Sequence, residues 1–157
     1  MSLPNPPLVH PRFAPALVLA SCLLYGCGPR PPAKETQVRR AVSADQALAG
    51  ALNVSVSDEV RLDFRLTNGA SRAIELNFPS GRTHDFVVMD TTGRELWKWS
   101  DGRLFTQVMQ NKVLRRDEAL SWNADWDPGS HHGTFIAAVS VRSDNHPFEQ
   151  QVRFTIP

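Results

Sequence analysis

The chain has 157 residues, of which 41% are hydrophobic and 21% charged, and its formal net charge is +1 at pH 7. This length suits one ordinary domain, and the near-balance of 17 basic and 16 acidic residues gives no electrostatic footprint for nucleic acid or an acidic substrate. Both cysteines, Cys22 and Cys27, precede the body of the chain, which excludes a disulfide framework or a thiolate nucleophile there.

The first segment has the pattern of a targeting sequence. Arg12 precedes an apolar run, residues 13–25, that is too short to span a bilayer alone. The run ends in Leu24-Tyr25-Gly26-Cys27, which resembles the lipobox of bacterial lipoproteins, whose cysteine is acylated and becomes residue one. Cys27 is therefore the predicted lipidation site, and Cys22 is the alternative.

The segments predicted from this pattern are a signal peptide (residues 1–26), a lipidated cysteine with a flexible Pro-rich tether (27–45) and a folded domain (46–157). We accordingly expect a location in the bacterial cell envelope, with the domain anchored to a membrane by lipid and facing the periplasm or the exterior.

The body reads as β-strands. From Gly50 onward, apolar residues recur with a period of two, which is typical of strands that bury one face. Turn-forming pairs such as Asn68-Gly69 and Thr92-Gly93 separate these runs. The pattern predicts an all-β, antiparallel sandwich of about seven to eight strands. Its alternating apolar positions include Leu52, Val54, Leu62, Phe64, Leu66, Ile74, Leu76, Phe78, Phe135, Ala137, Val139, Val152 and Phe154.

One internal segment, residues 100–112, breaks this rhythm. It lies between two predicted strands yet carries Leu104, Phe105, Val108 and Met109. Loops are usually polar, so these side chains either tuck under the sandwich or are offered to a partner. Tucking is the more frequent outcome.

No constellation in the body has the spacing of a catalytic or metal site. Ser80, His84 and Asp85 are crowded into six residues on a turn, without a nucleophile elbow or an oxyanion hole. The adjacent His131 and His132 point to opposite faces if they lie on a strand, so they cannot easily bind one ion. We predict no enzymatic activity, no catalytic residue, no metal, no cofactor and no small-molecule substrate.

Several short motifs resemble those of the intracellular proteinase inhibitor family, BsuPI. They are the turn Phe78-Pro79-Ser80-Gly81, the strand start Asp85-Phe86, the strand Trp97-Lys98-Trp99-Ser100 and the element Phe105-Thr106-Gln107. The resemblance covers residues 52–141. It implies an immunoglobulin-like sandwich and, by the family's name, inhibition of subtilisin-type serine proteases.

The resulting hypothesis is an exported, lipid-anchored module that binds a protein partner, a serine protease in the leading interpretation, and no nucleic acid. The candidate binding loop comprises Arg103, Leu104, Phe105, Gln107 and Met109, and a second candidate turn comprises Ser80, Gly81, Arg82 and Asp85. The alternative is a non-inhibitory scaffold or assembly protein of the cell envelope, which binds another envelope protein through a sheet edge or its loops.

Overall fold

The computed structural model describes residues 36–42 and 47–157 of the chain. Strands and turns make up this part. Its strands, in chain order, are β1 (Thr36–Val42), β2 (Leu48–Val56), β3 (Val60–Asn68), β4 (Ile74–Phe78), β5 (His84–Asp90), β6 (Glu95–Lys98), β7 (Gln110–Leu114), β8 (Ala119–Trp126), β9 (Gly133–Val141) and β10 (Phe148–Ile156).

The strands form an antiparallel β-sandwich. One four-stranded sheet has the order β1-β2-β3-β8, a second has the order β10-β9-β5-β6, and β4 and β7 form a separate two-stranded ladder. Every pairing is antiparallel. The pairing of β5 with β6 shifts register between Val88 and Met89, which marks a β-bulge in this hairpin.

A single hydrophobic core joins the sheets. Successive residues of β3 and β10 alternate strictly between buried and less buried, as the period of two predicts. Phe64 and Phe154 are among the largest side chains that are fully buried. Truncation of such a phenylalanine to alanine typically costs about 3–5 kcal/mol, so this core is the main source of stability. The predicted all-β sandwich is confirmed.

The strand count differs from the predicted seven to eight, because β1 and β7 were not recognised in the sequence. β7 buries only Leu114, so its sequence has no alternating apolar face. β1 lies inside the segment 27–45 that was predicted to be a tether, and its backbone pairs with β2 from Thr36 opposite Ser55 to Val42 opposite Ala49. The predicted signal peptide and the cysteines Cys22 and Cys27 lie outside the described residues.

A buried asparagine fastens the end of β3 to β7. The Asn68 side chain donates hydrogen bonds to the carbonyl oxygens of Arg72 (2.8 Å) and Leu114 (2.9 Å), and it accepts one from the amide of Ala70 (2.8 Å). Buried backbone groups need such partners, because leaving one unpaired costs about 1–3 kcal/mol. Asn68 thereby fixes where the segment between β6 and β7 returns to the sandwich.

Candidate protein-binding site

The candidate binding loop connects β6 to β7. Residues 99–109 lie outside the strands, and the loop begins with a turn in which the amide of Arg103 donates to the carbonyl of Ser100 (3.2 Å). Gly102 occupies this turn with φ of +70°, a conformation that glycine adopts without strain. At the base of the loop, the Trp99 amide donates to the Phe86 carbonyl on β5 (2.9 Å). The loop is therefore fastened to the sandwich at its start.

Exposed apolar side chains are concentrated in and just after this loop. Leu104 is 100% exposed, Met109 69%, Val108 66% and Val113 60%, and these are the exposed large hydrophobic residues of residues 47–157. The expectation that the loop's apolar residues tuck under the sandwich is therefore wrong for Leu104, Val108 and Met109. It is correct in part for Phe105, which is half-buried. An isolated exposed leucine needs no explanation, whereas a contiguous apolar stretch is typical of interaction sites.

Trp99 is the platform on which the first half of the loop rests. The Arg103 guanidinium carbon lies 4.5 Å from the centroid of the Trp99 ring, and Arg103 Nε donates to the Trp99 carbonyl oxygen (2.8 Å). The Phe105 ring packs against the same indole, with centroids 5.6 Å apart. On the sandwich side, the His84 ring packs against Trp99 with centroids 4.3 Å apart and the rings tilted by 35°. Two residues of the loop thus share one aromatic anchor.

A buried carboxylate holds the loop's first residues against β5. Asp85 is 2% exposed; its Oδ1 accepts from the Ser100 amide (3.1 Å) and its Oδ2 from the Ser100 hydroxyl (2.7 Å). Arg82 Nη2 also contacts Asp85 Oδ2 as an ion pair. A buried charge is tolerated when it is paired and hydrogen-bonded, as it is here. Asp85 is therefore a positioning group and not a surface contact.

The second candidate turn and the loop form one continuous unit. The Gly81 amide donates to the Thr106 carbonyl oxygen (2.9 Å). A Cβ on Gly81 would lie 2.6 Å from Thr106 Oγ1, so the absence of a side chain permits this close approach. Ser80 Oγ accepts from the Arg82 amide (3.2 Å), which shapes the turn itself. The turn therefore holds the loop through the hydrogen bond between Gly81 and Thr106.

His84 is buried and uncharged at neutral pH. It is 8% exposed and packs against Phe86, Trp99 and Trp122. Burial lowers the pKa of His84 from 6.5 to about 4; the Asp85 charge opposes this shift and the Arg103 charge adds to it. Its Nδ1 lies 3.2 Å from the Thr83 hydroxyl.

The cluster of Ser80, His84 and Asp85 is not arranged as a catalytic relay. Ser80 is engaged with the Arg82 amide, and Asp85 with Ser100 and Arg82. Within residues 47–157 no group of three or more histidine, cysteine or acidic side chains could hold a metal. His131 and His132 instead contact two different backbone carbonyls, those of Pro128 and Pro157. In the part of the chain described here, no helix is long and apolar enough to cross a membrane.

The structure sorts the predicted site residues into two groups. Leu104, Gln107 and Met109 are presented to solvent, whereas the remaining candidates support them: Arg103, Phe105, Ser80, Gly81, Arg82 and Asp85. The sequence reasoning did not assign Trp99, Ser100 and Thr106 to the site, although the Trp-Lys-Trp-Ser and Phe-Thr-Gln motifs contain them. Their places in these two motifs are the signal in the sequence that could have identified them.

One known protein family matches the part of the chain that contains this site. The sequence model of BsuPI, described as intracellular proteinase inhibitor, matches residues 48–146, which include the loop and its support. A search of curated proteins gave no significant match.

Solved structures resemble this chain only at low similarity. A β-glucosidase, EmGH1, from Erythrobacter marinus is 12% identical with a TM-score of 0.35; the match covers 78% of this chain and 16% of the glucosidase. A protein assigned as ApaA from Bordetella pertussis is 16% identical with a TM-score of 0.36, over 79% of this chain and 95% of that one. The GAE domain of GGA2p from Saccharomyces cerevisiae is 9% identical with a TM-score of 0.30, over 77% and 98%. The fold assignment rests on the strand pairing described above.

The family match corrects the predicted location. The matching family is described as intracellular, so the expected location in the cell envelope, facing the periplasm or the exterior, is wrong. That prediction depended on residues before Gly28, which lie outside the described residues, whereas the family match depends on the folded body. A short apolar run followed by a cysteine is a weak pattern compared with a family match over residues 48–146.

Proposed function

Because the chain belongs to the BsuPI family of intracellular proteinase inhibitors, we propose that it inhibits a serine protease of the subtilisin type. The inhibitory element is the loop of residues 103–109, which binds in the active-site cleft of the protease. The main observation that supports this proposal is that Leu104 is completely exposed, whereas its neighbours Arg103 and Phe105 pack on Trp99.

Preorganisation explains why such a loop suits inhibition. A flexible peptide loses conformational freedom when it binds, at about 0.5–1.5 kcal/mol for each immobilised side chain. Here the Trp99 platform, the Asp85–Ser100 hydrogen bonds and the Gly81–Thr106 hydrogen bond fix the loop before it meets a partner. The loop therefore loses most of its conformational freedom when the chain folds, and little remains to be lost on binding.

Inhibition that requires no catalytic group of this chain fits the rest of the site. Asp85 is paired with Arg82 and hydrogen-bonded to Ser100, and the Arg103 guanidinium packs on Trp99. The exposed apolar side chains of the loop remain available to a partner. An aliphatic side chain that leaves water for an apolar pocket contributes about 1.5–3 kcal/mol.

The test is a titration of the full-length chain against a subtilisin-type protease with a small chromogenic substrate. Saturable inhibition at one chain per enzyme supports the proposal. The triple variant Leu104→Ser, Val108→Ser, Met109→Ser should lose most of the inhibition. A matched control carries three serine substitutions at exposed residues elsewhere, Asp58, Glu59 and Arg72, and should inhibit as the wild type does. Binding of the protease without inhibition, or equal inhibition by both triple variants, would contradict it.

A further inference from the structure

We infer that Leu104 is the side chain that enters the primary specificity pocket of the target protease, so that the target belongs to the proteases that cleave after large apolar residues. This inference rests on the proposed function and specifies its partner. The observation behind it is that Leu104 is 100% exposed between two residues whose side chains are both engaged with Trp99.

The contacts of Arg103 disfavour it as the specificity residue. Its Nε donates to the Trp99 carbonyl oxygen at 2.8 Å, and its guanidinium carbon lies 4.5 Å from the indole centroid. Entry into a pocket would break both interactions, and a cation–π contact alone is worth about 0.5–1 kcal/mol at an exposed site. Leu104, which is fully exposed and gives up no such contact, is therefore favoured over Arg103 as the specificity residue.

Met109 and Val113 are less suitable than Leu104 because of where their backbones lie. Val113 belongs to β7 and pairs with Glu75 of β4, and Met109 directly precedes Gln110, which pairs with Phe78. A protease cleft receives an extended segment that can leave the inhibitor's surface, and a backbone already paired in a ladder cannot do so without losing those bonds. Leu104 lies six residues before Gln110, the first residue of β7, and outside any strand.

The same contacts predict slow cleavage and resealing at the Leu104–Phe105 bond. Attack of the protease serine oxygen on the Leu104 carbonyl carbon forms an acyl ester, and the Phe105 nitrogen leaves as an amine that carries the serine's proton. Arg103 and Phe105 remain on the same indole, so the new amine stays beside the ester. Its attack on the ester restores the peptide bond and the serine hydroxyl, whereas attack by water yields a Leu104 carboxylate and completes hydrolysis.

The decisive variant is Leu104→Lys in the full-length chain, measured against two proteases, one with an apolar pocket and one with an acidic pocket. We expect inhibition of the apolar-pocket enzyme to weaken by about tenfold or more, and inhibition of the acidic-pocket enzyme to improve by a similar factor, since pocket mismatches have effects of this size. The matched control is Val113→Lys, which adds the same charge at another exposed apolar position and should leave both constants within about twofold.

The outcomes separate this inference from the proposed function. If the wild type inhibits but Leu104→Lys and Val113→Lys behave alike, the assignment of Leu104 is overturned while the inhibitor function stands. If the wild type inhibits no protease of either class, both are overturned. A switch of target confined to Leu104→Lys supports both.

A second readout does not depend on inhibition constants. Prolonged incubation of the wild type with a stoichiometric amount of the apolar-pocket protease, followed by acid quenching and mass spectrometry, identifies the first bond cut. Cleavage between Leu104 and Phe105 supports the assignment, and first cleavage anywhere else overturns it. Phe105→Ala should increase the fraction that stays cleaved, because the amine is then no longer retained on Trp99.

Discussion

Two connections flank β6, and each is organised by an aspartate at one end of β5. Asp90 accepts hydrogen bonds from the Thr92 amide (2.9 Å), the Thr92 hydroxyl (2.6 Å) and the Arg94 amide (3.0 Å), all within four residues of itself. Asp85 reaches Ser100, fifteen residues along the chain, and is almost completely buried. The first aspartate closes a tight turn by local hydrogen bonds, and the second anchors a long loop through a tertiary contact.

The surfaces that the two connections present differ accordingly. Residues 91–94 are exposed and polar or glycine, so the turn has the usual composition of a hairpin end. The loop of residues 99–109 exposes Leu104, Val108 and Met109. Local capping suffices for a connection that only reverses the chain, whereas the backbone of a longer loop is fixed by tertiary contacts. The buried Asp85 and the Trp99 platform provide that support.

The largest expected effect is that of Asp85→Ala. The substitution leaves the Arg82 guanidinium and the Ser100 amide without their partner, and breaking a buried ion pair in this way typically costs about 3–5 kcal/mol. We expect a fall of that order in the free energy of unfolding, measured by urea denaturation, with loss of inhibition. Asp101→Ala, at an exposed aspartate of the same loop, is the control and should change neither. A decrease below about 1 kcal/mol for Asp85→Ala would show that the carboxylate does not support the loop.

The next effect is a pH dependence that His84 contributes. Its pKa is about 4 in the folded chain and 6.5 when unfolded, so the unfolded chain binds more protons between these values. The stabilisation is therefore complete above pH 6.5 and is lost as the pH falls towards 4, by about 3 kcal/mol in total. Urea denaturation of the wild type and His84→Gln at pH 7.5, 5.5 and 4.5 measures it. The wild type should lose stability more steeply than the variant, and parallel curves would contradict the prediction.

A smaller effect is expected for Gly81→Ala, which tests the contact between the turn and the loop. The new Cβ would lie 2.6 Å from Thr106 Oγ1, so Thr106 must move. Its movement would disturb the hydrogen bond between Gly81 and Thr106 that holds the loop. We expect a loss of about 1 kcal/mol in stability and weaker inhibition, and recovery in the double variant with Thr106→Ala. Gly69→Ala is the matched control, because a Cβ on Gly69 would lie 3.9 Å from the Ala47 carbonyl oxygen, which is an ordinary contact. Failure of Thr106→Ala to restore inhibition would show that the Gly81→Ala effect does not arise from the clash with Thr106.

The strands were predictable because burial repeats along them. Leu62, Phe64 and Leu66 alternate with polar residues, and all three are buried in β3. β7 was not predictable, because a strand with one buried residue has no period to detect. The strand is created by its partner β4 and by the hydrogen bond from Asn68 to Leu114, both of which are tertiary features.

The site was predictable in its residues but not in its organisation. The sequence marked the loop and the Ser80–Asp85 turn as two competing candidates, and the structure joins them through Gly81 and Thr106. Gly81 and Thr106 lie far apart in the sequence, so no local pattern predicts their contact. The exposure of Leu104 was not predictable either, since apolar composition favours burial unless neighbouring contacts, here those with Trp99, prevent it.

The smallest effect is expected for Asp90→Ala. The pH dependence of its stability loss distinguishes the role of Asp90 from that of Asp85. The hydrogen bond from the Thr92 hydroxyl is the largest cause that lowers the pKa of Asp90 from 3.8 to about 2, and the Arg94 and Thr92 amides add to it. The stabilisation from Asp90 is therefore present above pH 3.8 and is lost as the pH falls towards 2. The difference in stability between wild type and Asp90→Ala should stay constant from pH 7 to 4 and shrink below that. Inhibition at pH 7 should stay within about twofold of the wild type, because the turn only reverses the chain. Loss of inhibition in this variant would mean that local capping at Asp90 also fixes the loop on the other side of β6, and the contrast between the two connections would fail.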